Sequence, residues 1–118
     1  MNNMVDIFKA LSEESRLRIL SLLLEDELCV CEIEACLRMT QSNASRHLTA
    51  LKKSGILENY KNAQWTYYRL NKNFIQDNKE LYEYMKYRLK NLPTYFSDYE
   101  EYQKCKKQGL CCCNKKPH

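Results

Sequence analysis

Glycine and proline are almost missing from this chain, two of each in 118 residues. That scarcity argues for a helical protein with few tight turns. No apolar run approaches the length needed to cross a bilayer and no signal segment precedes Met4, so a cytosolic protein is expected. There is no glycine-rich phosphate loop, no CxxC on a thioredoxin-like pattern, no Cys/His couple at a readable spacing and no internal repeat. An enzyme is therefore not expected. Cysteine is what the chain has in excess. Seven thiols, an odd number, in a reducing compartment point to metal or thiol chemistry rather than a disulfide framework.

The length suits one domain with a modest core. The formal net charge of +4 is mild but unevenly spread. Arg38, Arg46, Lys52, Lys53 and Lys61 face only Glu58 between Arg38 and Lys61, whereas Glu25 to Glu34 is acidic. A local basic patch beside an acidic one fits a positioned nucleic-acid contact rather than a general polycation.

The run Thr40 to Ile56, TQSNASRHLTALKKSGI, reads as one amphipathic helix with a stop. Thr40 is a good N-cap. Ala44, Leu48 and Leu51 recur at i, i+4 and i+7 on one face, and Gly55 supplies the left-handed residue that ends the helix. The opposite face carries Ser42, Ser45, Arg46, Thr49 and Lys53, flanked by Asn43 and Lys52, with no carboxylate. Short hydrogen-bonding groups followed by basic ones suit a major groove, where they reach base edges and phosphates. The alternative is a solvated face that happens to lack acids. With Thr40 and Gln41 at its start, this helix supplies most of the candidate DNA contacts.

Around it, Met4 to Leu11 reads as a short helix with Met4, Ile7, Phe8 and Leu11 in one buried stripe. Ser15 to Leu24 reads as a central helix burying Leu17, Leu20 and Leu24, widened by Ile19, Leu22 and Leu23. Ser12 is the cap between them, and Arg16 and Arg18 are left as exposed or capping groups. From about Val30 a third helix turns Ile33 and Leu37 inward, and a turn at Arg38-Met39 leads to the Thr40 helix, which makes a helix-turn-helix. After Gly55 the period becomes alternating: Ile56 to Lys61 and Trp65 to Leu70 form a hairpin around Asn62-Ala63. It is a wing with Lys61, Asn62 and Gln64 at its tip, of which Lys61 and Gln64 are further candidate DNA contacts. Phe74 to Leu92 reads as one long helix with a wide apolar stripe, ended before Pro93. The stripe either covers its own domain or, with the first helix, forms a dimer interface. In the tail, Ser97 to Glu100 is a capping-box pattern that starts a short helix to about Gln108. Cys111, Cys112 and Cys113 follow Gly109 in a stretch expected to be mobile.

The runs FKALSEESRLRILSLL, ELCVCEIE, QSNASRHLTALKKSGIL and WTYYRL, in this order and spacing, resemble the ArsR/SmtB family of metal-responsive winged-helix repressors over roughly residues 4 to 92. The resemblance implies a mostly α fold with a small β-hairpin, a dimeric winged helix-turn-helix in the order α-α-α-α-β-β-α. It divides the chain into a DNA-binding and dimerisation domain, 1–92, and a Cys-rich tail, 93–118. It implies a homodimer joined through its first and last helices, bound to double-stranded operator DNA and released by inducer. ELCVC at the start of the third helix is, in this family, the mark of thiolate sensors, and it places inducer ligands at Cys29 and Cys31. The inducer implied is As(III) or Sb(III), with Cd(II) or Pb(II) as further possibilities. A third cysteine often stands three residues after the second, but here that position is Glu34. The wing departs too, with Ala63 in place of a common glycine and Gln64 where an arginine often sits, so a weaker wing contact is expected.

Trivalent arsenic and antimony take three thiolates, and soft ions select thiolate sulfur. Cys29 and Cys31, two residues apart at a helix start, can converge, and the positive helix terminus favours the thiolate. Cys36 lies about 500° around a helix from Cys31 at 3.6 residues per turn, which reads better as a buried structural thiol. Cys105 or one of Cys111, Cys112 and Cys113 is the better candidate for a third sulfur, from the same subunit or its partner, although the tail could also capture its own ion. Zinc sensing by His and carboxylate ligands is not expected, because the histidines are His47, on the flank of the recognition helix, and the terminal His118. His47 reads as a packing or phosphate-contacting residue. Two competing readings keep the same residues: a thiol-redox or persulfide switch on this fold, and a thiol-rich metal buffer.

Overall fold

A computed structural model describes residues 3–108. Helix α1 (Met4–Leu11) begins at Asn3, whose side chain accepts from the Asp6 N–H. Helix α2 (Glu14–Leu23) buries Ile19, Leu20, Leu22 and Leu23, which makes it the central helix its sequence implied. A short strand β1 (Leu28–Cys29) precedes helix α3 (Val30–Leu37). Arg38 then takes a left-handed conformation, φ 55°, and turns the chain into helix α4 (Gln41–Lys53). The hairpin is β2 (Leu57–Asn62) and β3 (Trp65–Leu70). It is followed by α5 (Lys72–Asp77), α6 (Lys79–Arg88), a 3-10 turn over Leu89–Asn91 and α7 (Tyr95–Gln108). Among the described residues, no helix is long and apolar enough to cross a membrane.

The winged helix-turn-helix expected from the sequence is present, and its finer anatomy differs in several places, among them the start of the last helix at Tyr95 rather than at the Ser97 capping box. The sheet has three strands in the order β1-β3-β2, all antiparallel, with Leu28 opposite Tyr68 and Cys29 opposite Tyr67. The stretch 74–92 is not one helix: Asn78 leaves the helical region at φ −133°, ψ 51°. Its side-chain amide donates to the Phe74 carbonyl at 3.1 Å, a local bond that competes with helix continuation. Ser12 ends α1, its hydroxyl donating to the Lys9 carbonyl, and Glu13 stands at the start of α2. In α1, Ile7 and Ala10 are buried, while Met4 and Phe8 are 67% and 51% exposed, because no element among the described residues covers that side. Arg16 and Arg18 are half-buried and bonded rather than exposed.

The tail helix joins the core. Asp98, Tyr102 and Cys105 lie at i, i+4 and i+7 on one face of α7 and are all buried. Arg18 of α2 donates from Nε and Nη2 to the two Asp98 oxygens, each at 2.8 Å, a bidentate pair. Arg18 also donates to the Leu37 carbonyl at the end of α3, and the Tyr102 hydroxyl donates to Asp26 at 3.0 Å. These links hold α7 against α2 and α3.

The wing turn carries visible strain. Ala63 has φ 59°, a left-handed conformation in which its Cβ crowds the backbone and glycine does not. Ala63→Gly is expected to raise stability by about 1 kcal/mol, read as a rise of roughly 5 °C in melting temperature. An unchanged or lower melting temperature would show that the turn relaxes without strain.

Candidate nucleic-acid interface and thiol site

Helix α4 is positioned from both faces. Ala44, Leu48 and Leu51 are 0% exposed and anchor it on the core. The Thr40 hydroxyl accepts from the Asn43 N–H at 3.2 Å, and Gly55 at φ 85° ends it. Thr40, Gln41, Ser42, Asn43, Ser45, Arg46, Thr49, Lys52 and Lys53 are all exposed, as are Lys61 and Gln64 at the wing. The helix thus presents a hydrogen-bonding and basic surface free of carboxylates.

His47 is turned inward and is 3% exposed, so of its two expected roles the packing one fits. Arg16 Nε donates to His47 Nδ1 at 3.2 Å, and Glu13 holds the Arg16 guanidinium at 3.3 Å. On the other side of the ring, His47 Nε2 lies 3.4 Å from the Arg46 guanidinium. The imidazole therefore ties the recognition helix to the start of α2 and touches a candidate DNA contact. Burial, then the charge of Arg46, lowers the His47 pKa from its ordinary 6.5. A histidine that resists protonation in the folded state contributes stability above about pH 6.5, and that contribution is lost as pH falls through the lowered value. The melting temperature is expected to fall below pH 6.5, and more steeply in the native protein than in His47→Gln; parallel curves would contradict the assignment.

The thiols stand at the other side of α4. Cys29 is at once the second residue of β1 and the residue that starts α3, its N–H donating to the Glu32 carboxylate at 2.9 Å. It is 1% exposed and lies against Cys31, Trp65 and Tyr67. The sulfurs of Cys29 and Cys31 are 2.9 Å apart, so the convergence expected from their spacing is present. Both line a cleft of about 480 Å³ together with Glu34, with Gln41 and Ser45 of α4, and with Gln64 and Trp65 of the wing. One cavity thus touches the thiols, the recognition helix and the wing.

The other candidate sulfurs are placed differently. Cys36 and Cys105 are buried in the main core where α3 packs against α7, and the two thiols are neighbours there. Cys111, Cys112, Cys113 and His118 lie outside the described residues. Among the described residues, no group of three His, Cys, Asp or Glu side chains is gathered to hold a metal ion.

Sequence reasoning missed three contributors: the β1–β3 pairing that joins Cys29 to the wing, the Arg16–His47 link, and Glu27. The Glu27 carboxylate accepts from the Tyr60 hydroxyl at 2.6 Å, which pushes that phenol up to about 12. The acidic stretch 25–34 was visible, but its role as an anchor for the hairpin depends on a contact across 33 residues.

Residues 13–59 match the model of the arsR family of bacterial regulatory proteins. Over 67 residues the chain is 46% identical to the arsenic resistance transcriptional regulator ArsR2 of Pseudomonas putida, covering 56% of this chain and 58% of that one. It is 44% identical over 62 residues to the cadmium resistance regulator CadC of Listeria innocua, 52% of each. The chain spans between 51% and 58% of the length of the arsenic-resistance relatives it matches. Among solved structures, HlyU from Vibrio cholerae aligns with a TM-score of 0.59 at 36% identity, over 69% of this chain and 88% of that one. The homodimeric winged helix-turn-helix domain Mb0332 from Mycobacterium bovis aligns with a TM-score of 0.61 at 28% identity, over 75% and 83%. This chain belongs to the ArsR family of bacterial regulatory proteins.

Proposed function

We propose that the protein is a homodimeric transcriptional repressor that releases its operator when a thiophilic metal or metalloid, foremost As(III) or Sb(III), binds at Cys29 and Cys31. The observation that carries this reading is the cleft shared by those two sulfurs, Gln41 and Ser45 of α4 and Gln64 of the wing. Relatives named for arsenic and for cadmium resistance support a thiophilic inducer; Cd(II) and Pb(II) share the preference for sulfur.

The route from ligand to DNA follows from the position of Cys29. Its backbone pairs with Tyr67 in the wing strand and it starts the helix that precedes the reading helix. Drawing its sulfur and that of Cys31 around an ion, with a third sulfur from Cys105, Cys111, Cys112, Cys113 or Cys36, displaces both supports at once. In a two-fold protein the paired reading helices then miss their half-site spacing. Met4, Val5 and Phe8 of α1 and Tyr84 and Tyr87 of α6 are large apolar residues left exposed. They are the surface on which the partner would pack, as the two-helix interface expected from the sequence requires.

The DNA half of the proposal is tested at Arg46, which is exposed and has His47 behind it. Arg46→Ala is expected to weaken binding to DNA from upstream of the protein's own gene by roughly 10- to 100-fold, as for loss of a base or phosphate contact. Equal affinity of variant and native protein would remove α4 from the reading surface. A second reading, oxidation of the Cys29–Cys31 pair as the releasing signal, is favoured by the 2.9 Å sulfur contact. Intact-mass analysis after mild oxidant separates it from metal ligation.

A further inference from the structure

Two thiols lie buried together in the main core, apart from Cys29 and Cys31. Cys36, in the last turn of α3, and Cys105, in α7, are 2% and 3% exposed and belong to the same core cluster. Both are free cysteines at the packed contact between α3 and α7, and the Cys105 thiol is a neighbour of the Cys36 thiol. They belong to a different side-chain cluster from Cys29 and Cys31, which lie against Trp65 and Tyr67. Their surroundings fix the two helices well: the Arg18–Asp98 pair lies about two turns away along α7, and Arg18 also holds the Leu37 carbonyl next to Cys36. The helices that carry the two thiols are thus tied together while the thiols are distant in sequence.

We propose that Cys36 and Cys105 are a second thiol site, an interhelical dithiol that a two-electron oxidant converts into a disulfide stapling α7 to α3. With hydrogen peroxide as the oxidant, the two thiols lose two protons and two electrons, one S–S bond forms, and the peroxide is reduced to two waters. Burial, and then the neighbouring Cys105, push the Cys36 thiol up from its ordinary value, and the carboxylates of Glu32 and Glu101 add to this. The attacking thiolate is therefore scarce, and the pair answers sustained rather than brief exposure to oxidant. The product closes a loop of roughly 70 residues, which removes freedom from the unfolded chain. The staple uses neither Cys29 nor Cys31, so its formation is read separately from ligand binding at that pair.

The test is disulfide mapping of the full-length native protein. Reduced protein is held in hydrogen peroxide, remaining thiols are alkylated, and the chain is cut with Glu-C and Lys-C without reduction. Cleavage after Glu34 separates Cys36 from Cys29 and Cys31, and cleavage after Lys104 and Lys106 isolates Cys105. The expected result is a cross-linked pair of peptides, 35–52 joined to 105–106, that reductant splits. The oxidised protein should melt on the order of 10 °C above its reduced form, and Cys105→Ala should show neither the cross-link nor that rise. Recovery of Cys36 and Cys105 as alkylated thiols, or Cys36 joined mainly to Cys29 or Cys31, overturns the proposal. The native-protein map decides the matter even where the alanine variant folds poorly.

Discussion

Replacing Cys29 and Cys31 together with serine is expected to leave operator affinity within about threefold of native while abolishing release by inducer. A linked equilibrium of this kind couples ligand and DNA by about 5- to 150-fold in affinity, and the double variant should retain less than about twofold of that. Serine is tolerated at the position of Cys29 because it starts α3, and serine is a favoured residue there. The proposed DNA contacts are untouched, since they are exposed residues from Thr40 to Lys53 of α4. The effect is large because an ion held by two thiolates loses both when they are removed, and a hydroxyl does not replace thiolate for a soft ion. Anisotropy of labelled operator, with and without arsenite, measures both terms. Undiminished release by the double variant would move the signalling site to the tail.

The second large effect is on stability. Arg18→Ala leaves the Asp98 carboxylate, whose side chain is 6% exposed, as a buried charge without its bidentate partner. Breaking a buried pair from one side costs about 3–5 kcal/mol, so the melting temperature should drop by roughly 15 °C or more. The cost arises from the charge left behind more than from the bond lost. The double variant Arg18→Met/Asp98→Leu should therefore recover most of the loss, because neither charge remains to be desolvated. A single variant that melts within about 3 °C of native would show that α7 is not anchored by this pair.

The contrast between what could and could not be read from the residues follows from the range of the interactions. Helix α4 was legible from end to end because its determinants are local: the Thr40 cap, the Ala44, Leu48 and Leu51 stripe, and the stop at Gly55. The hairpin was legible for the same reason, whereas Ala63 stood out only against the family resemblance, in which a glycine is common there. The break at Asn78 was hidden because apolar residues continue on both sides of it, and an asparagine gives no warning by period alone. Strand β1 was hidden because two residues, Leu28 and Cys29, are too few to show alternation. In α1 the period correctly gave a helix but could not say that the described residues of this chain leave Met4 and Phe8 exposed. At the thiol site the convergence of Cys29 and Cys31 was readable from their spacing, whereas the wing as their neighbour was not. The Arg18–Asp98 link spans 80 residues, and no spacing rule reaches that far.

The most direct test of the central claim is fluorescence anisotropy of the reduced protein on DNA from upstream of its own gene, titrated with arsenite. The account predicts tight binding that collapses near one equivalent of arsenite per subunit. Tight binding that is indifferent to arsenite, cadmium and lead alike would contradict it, and the absence of any operator binding would contradict the repressor itself.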